Sequence, residues 1–143
     1  MRQPVRLTLF SVEEASRVAN ELRPELLRLA RVHRELMQLE RRVEVLSLAV
    51  AGATPENPDV ADLGRLVTRR DQLGSEMKLG IEAVHRRGCL LKDVGKGLVD
   101  FYALSGDRLI FLCWHAGEPE VAHWHTLEGG FSSRQPLKTS ERE

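Results

Sequence analysis

The sequence predicts an α+β fold: a long antiparallel helical hairpin with a short preceding helix, plus a small three-stranded antiparallel sheet at the C-terminal end. Three observations predict it. Up to Gly88 the apolar residues recur at helical spacing, after Gly88 they alternate with a period of two, and a cluster of Pro55, Asn57 and Pro58 interrupts the helical part once. The length of 143 residues suits one domain, 1–143, with a helical part over 11–88, the sheet over 97–128 and a tail over 129–143.

Ser11 followed by Glu14 has capping-box spacing, so a short first helix is predicted from there to about Leu22. Pro24 suits a first helical position, where its missing N–H would have no partner anyway. From there a long helix is predicted to about residue 50. Its seam of Leu29, Val32, Leu36, Leu39, Val43, Leu46 and Val50 alternates steps of three and four. Asn57 as N-cap and Pro58 behind it restart a helix through Val60, Leu63, Leu66, Val67, Leu73, Met77, Ile81 and Val84. Gly64, Gly74 and Gly80 each weaken it by about 1 kcal/mol against Ala unless close packing compensates. Arg86 and Arg87 suit the negative end of the helix dipole, and Gly88 suits a left-handed terminal position.

The predicted strands run from Leu98 to Leu104, Arg108 to Trp114 and Val121 to Leu127, and Val5 to Phe10 is a candidate fourth. With Gly106-Asp107 as a two-residue turn, Leu104 faces Leu109, Tyr102 faces Phe111 and Asp100 faces Cys113. One face then carries Val99, Phe101, Ala103, Ile110, Leu112 and Trp114, and should pack on helical residues such as Leu36, Leu73 and Met77. The other carries Asp100, Tyr102, Phe111, Cys113 and His115. His123 and His125 join it if the next hairpin keeps parity, whereas a shift of one residue puts Trp124 there instead.

Composition narrows the function. Lys plus Arg equals Asp plus Glu at 21 each, so no basic surplus points to nucleic acid. The pairs Arg41-Arg42, Arg69-Arg70 and Arg86-Arg87 are interleaved with acids and read as a solvated helix face. Two cysteines, Cys89 and Cys113, make no disulfide framework. The first ten residues hold no signal-peptide core, and no apolar run approaches membrane length. A cytoplasmic protein without a membrane partner is expected.

Cys113-Trp114, Gly117-Glu118, Trp124-His125, Gly130-Phe131 and Arg134-Gln135-Pro136 follow Leu98-Val99-Asp100-Phe101 in order. With Phe10-Ser11-Val12-Glu13-Glu14-Ala15 and Leu22-Arg23-Pro24-Glu25-Leu26 at the start, they resemble a bacterial family known as domain of unknown function 2203. The resemblance spans nearly the whole chain and implies helices plus a short sheet. It brings no catalytic residue with it.

Chemistry is therefore sought on the polar sheet face. His123 and His125, two apart on a strand, point the same way and could share a divalent transition metal. Asp100 and these two histidines form the preferred ligand set, with Cys113 or His115 adjoining. A small-molecule site there would use Tyr102, Glu118, Trp124 and Arg134. The blander reading is of rim histidines paired with carboxylates. Cys113 as a nucleophile competes with Cys113 as a small core residue, and Gly95-Lys96-Gly97 reads as a turn rather than a phosphate loop. The leading function is a non-enzymatic protein that forms a homodimer through the helical hairpin. The alternative is a metal- or small-ligand-binding protein, up to a metal-dependent hydrolase. Cofactor, substrate and catalytic residues are not specified by the sequence.

Overall fold

The computed structural model describes residues 7–138. Among them, α1 (Val12–Ala49) and α2 (Pro58–Arg86) precede an antiparallel sheet of β1 (Leu90–Asp93), β2 (Leu98–Ser105), β3 (Arg108–His115), β4 (His123–His125) and β5 (Gln135–Pro136). The five strands lie side by side in chain order.

The start of α1 is capped as its sequence requires. The Ser11 hydroxyl accepts from Glu14 N at 3.1 Å and donates to the Glu14 carboxylate. The expected break near Pro24 is absent, and the short first helix and the long one are a single helix of 38 residues with Pro24 inside it. An interior proline costs about 3 kcal/mol. Ala15, Val18, Ala19 and Leu22 before it and Leu26, Leu29 and Ala30 after it form one buried stripe. Breaking the helix would expose leucines worth about 1.5–3 kcal/mol each, so the stripe outweighs the proline.

Helix α2 begins as predicted, with Asp59 N donating to the Asn57 side chain at 2.9 Å and Pro58 in the first turn. It ends before Gly88, whose φ of 91° belongs to the left-handed region. The helices are joined laterally by Arg87 with Glu21, Arg28 with Glu76 at 3.8 Å, and Arg69 with Glu35 at 3.3 Å. Gly80 permits their close approach, since a Cβ there would lie 2.4 Å from Leu29 Cδ2; around Gly64 and Gly74 there is open space.

The β2–β3 register agrees with the predicted turn: Leu104 pairs with Leu109, Tyr102 with Phe111 and Asp100 with Cys113. The face of Val99, Phe101, Ala103, Ile110, Leu112 and Trp114 is buried. Its helical partners differ from the expected ones. It packs on Ala15, Val18, Ala19, Leu22, Leu26 and Leu29 of α1 and on Val84, while Leu36 and Leu73 sit in a separate cluster with Val32 and Leu39. Met77, partly buried, touches both. The chain enters β1 four residues after α2 ends, so the sheet must lie where α2 finishes and α1 begins.

Among the described residues the sheet has five strands rather than three. β1 escaped prediction because Leu90-Leu91-Lys92-Asp93 does not alternate and its register shifts between Leu91 and Asp93. β5 is two residues long and contains a proline, which only an edge strand tolerates. It turns part of the expected tail into sheet. The third predicted strand shrinks from Val121–Leu127 to β4. Of the candidate fourth strand, residues 5 and 6 lie outside the described residues and 7–10 form no strand, although Phe10 N donates to Tyr102 O at 2.8 Å. Among the described residues, no helix is long and apolar enough to cross a membrane.

Candidate functional site

The β3–β4 register pairs Phe111 with His125, Leu112 with Trp124 and Cys113 with His123. Parity is kept, so His123 and His125 share the face of Asp100 and Cys113. Trp124 lies on the opposite face, packed against the main core. There it lines a groove with Phe10, Ile110, Leu112 and Leu137, and so it is removed from the other candidate ligand residues. The remaining candidates fall into two adjoining centres.

The inner centre is Asp100, Cys113 and His125 from β2, β3 and β4: Asp100 is the register partner of Cys113, and His125 lies diagonally to it, opposite Phe111. One ligand atom of each lies within 4.8 Å of the others, and all three residues are buried. His125 Nε2 is 3.1 Å from both Asp100 carboxylate oxygens, and Nδ1 is 2.7 Å from the Thr126 carbonyl. Both ring nitrogens thus face acceptors, although a neutral imidazole has one donor only. Phe111 stacks its ring 5.4 Å from that of His125, and Tyr102 lies 4.7 Å from Phe111. Tyr102, two residues from Asp100 on the same face of β2, thus contacts Phe111 beside the centre. Burial first, and then the Asp100 charge, push the Cys113 thiol up to about 11, against the opposing pull of Arg134. Burial likewise raises Cys89 to about 11. Neither thiol is a ready nucleophile at neutral pH.

The outer centre is built on Glu118. Arg134 donates to both its carboxylate oxygens, at 2.7 and 3.0 Å, and His115 N donates to Oε1 at 3.1 Å. Burial would raise the Glu118 carboxyl, but the Arg134 and His115 hydrogen bonds and the charges beside it prevail and hold it below the usual carboxylate range. His115 Nε2 lies 3.6 Å from Oε1, and its Nδ1 accepts from Gly117 N. His123 Nδ1 comes within 3.3 Å of Oε2, but poor alignment leaves it without a hydrogen bond, the one orphaned buried side-chain polar atom among the described residues. Arg134 also lies over the Phe131 ring at 4.4 Å, and its charge acts on Cys113 as well as on Glu118.

Arg23 was not singled out from sequence, where it reads as one more helix-surface charge. It donates to the carbonyls of Ala116, Glu118 (2.8 Å) and Pro119 (3.3 Å) and lies over the Trp114 ring at 5.1 Å. Helix α1 thereby positions the turn that carries Glu118. Lys92, 5.2 Å from the Phe111 ring centre, was missed together with β1. Gly95-Lys96-Gly97 is a turn, with Gly97 at φ 62° and Lys96 N donating to Asp93.

A different surface lies at the far end of the helices. Val43 is buried, but Val45 and Leu48 are 67% and 76% exposed. Val45 lines an open groove together with Leu46, Leu66, Arg41, Arg42 and Arg65. The apolar stripe of α2 is buried at Leu73 and Val84, whereas Val60, Leu63, Leu66 and Val67 are only half-buried.

The family model described as "Uncharacterized conserved protein (DUF2203)" matches residues 8–137. No curated protein and no solved structure matches the chain.

Proposed function

The chain belongs to the DUF2203 family, whose description names no activity, and from its own geometry we propose that it is a non-enzymatic interaction protein that pairs with a second copy of itself through the far end of its helices. The observation that carries this reading is the uncovered apolar end: Val45 and Leu48 of α1 and the half-buried residues Val60, Leu63, Leu66 and Val67 of α2. Each large apolar side chain left in water forgoes about 1.5 kcal/mol or more.

A second copy suits this surface because the surface is self-complementary. Arg41, Arg42 and Arg65 stand among Glu40, Glu44 and Asp62, so a two-fold axis can set the basic side chains of one copy against the acidic ones of the other. The net charge of zero adds no long-range repulsion. The cross-helix contacts support an antiparallel hairpin, since Glu21, Arg28 and Glu35 meet Arg87, Glu76 and Arg69 in reverse order. Two hairpins packed side by side over these far ends make a four-helix bundle. Pairing of Arg69, Arg70 and Arg87 with acids supports the reading without nucleic acid, and two buried free thiols accord with a reducing cytoplasm. Light scattering at tens of micromolar should give twice the chain mass for the native protein and the single-chain mass for Val45→Lys/Leu48→Lys, with unchanged circular dichroism. A native protein that is strictly monomeric refutes the proposal.

A further inference from the structure

We propose that Asp100, Cys113 and His125 form a site for one divalent transition-metal ion of borderline softness, with zinc as the reference case. The inference goes beyond the pairing of two copies and does not depend on it.

Three features of the inner centre point the same way. The first is the orientation of His125. The Thr126 carbonyl lies 2.7 Å from Nδ1, and a neutral ring that donates to it from Nδ1 carries its lone pair on Nε2. That lone pair then points at the Asp100 carboxylate from 3.1 Å. Two acceptors at this distance repel unless a cation lies between them. A backbone carbonyl behind the other ring nitrogen is the usual support of a metal-ligating histidine.

The second feature is the third donor. A proton shared by Asp100 and His125 has no use for a sulfur, yet Cys113 Sγ lies within 4.8 Å of the other two atoms. A tetrahedral ion with bonds of about 2.0–2.3 Å needs its ligand atoms about 3.5 Å apart. The Asp100–His125 separation of 3.1 Å is already shorter than this, so the closing that remains, from at most 4.8 Å, falls to Cys113. Sulfur, nitrogen and oxygen together suit zinc and its neighbours rather than magnesium or calcium.

The third feature is charge. A carboxylate, a thiolate and a neutral imidazole balance a divalent ion, so the loaded centre buries no net charge. His123 and His115 are turned to Glu118, and so Cys113 takes the place in the ligand set that the sequence reading allotted to His123.

The test uses untagged protein stripped with a chelator and titrated with cobalt(II), followed by displacement with zinc. One cobalt per chain with a thiolate-to-cobalt charge-transfer band in the near ultraviolet is the expected result. Cys113→Ser should abolish the band, and His125→Gln should weaken binding by more than about a hundredfold, beyond the 10–100-fold typical of a mere supporting residue. Cys89→Ala should leave the band intact. Asp100→Asn, which keeps the shape beside His125, serves if either ligand variant fails to fold, and should also weaken uptake. Absence of stoichiometric uptake by the folded native protein overturns the proposal. So does a band that survives Cys113→Ser, or one that depends on Cys89.

Discussion

Trp114→Ala is the substitution that most directly tests how the sheet is seated. The indole is fully buried in the cluster formed with the first half of α1. It packs on its apolar face, donates from Nε1 to Glu118 O at 3.1 Å, and lies beneath the Arg23 guanidinium. Emptying a buried aromatic site costs about 3–5 kcal/mol. The hydrogen bond adds little, because Glu118 O keeps Arg23 as a donor at 2.8 Å and is not orphaned. Packing should therefore dominate, and about 4 kcal/mol is expected. At about 3–5 °C per kcal/mol for a chain of this size, the melting temperature should fall by about 12–20 °C. Trp114→Phe keeps most of the ring and loses only the donor, so about 1–2 kcal/mol is expected. Urea unfolding followed by far-ultraviolet circular dichroism gives both numbers, provided that the slope with denaturant is unchanged. An unmoved midpoint for the alanine variant would mean that the two sheet faces are reversed. Equal losses for alanine and phenylalanine would mean that the indole N–H, not packing, holds the turn.

Arg134→Ala leaves the Glu118 carboxylate without its paired donors and should cost about 2–4 kcal/mol, less than a fully buried pair because both side chains keep some exposure. The Glu118 carboxyl is held below its ordinary value in the folded state, so the unfolded chain binds more protons in acid. Its stabilisation is present above the unfolded value and is lost as pH falls through the folded one; a pH series of urea midpoints should show a shallower acid limb in Arg134→Ala. Gly64→Ala and Gly74→Ala, with open space around each Cβ, should each stabilise α2 by about 0.5–1 kcal/mol, whereas Gly80→Ala should destabilise the protein by driving Leu29 off α2; thermal melts that rank all three alike would contradict the packing. Cys89 and Cys113, both raised to about 11, should react with a thiol reagent at neutral pH only after denaturant is added, which a colorimetric thiol assay checks.

What the sequence determined by itself is what neighbours within a few residues decide. Asn57 and Pro58 start α2 through one side-chain acceptor and one preset dihedral. Gly88 and Gly106 take positive φ where the helix and the hairpin end. The two-residue turn sets every pair between β2 and β3, and so it places Asp100 beside Cys113 before any tertiary contact is considered. The tertiary structure decided the rest. Pro24 carries a local instruction to start a helix, and it is overruled by a buried stripe whose partners are the sheet and α2. β1 and β5 are too short and irregular to announce themselves, and exist because a neighbouring strand offers hydrogen bonds. The polar face could be listed from parity, but not divided. Whether His123 turns to Glu118 or to Asp100 depends on Arg134, sixteen residues beyond Glu118, and on Arg23 gripping the Glu118 turn from ninety-five residues away. Contacts across such separations follow from how the elements dock, because their energy comes from burial and paired charge rather than from the backbone preferences that a short stretch of sequence records.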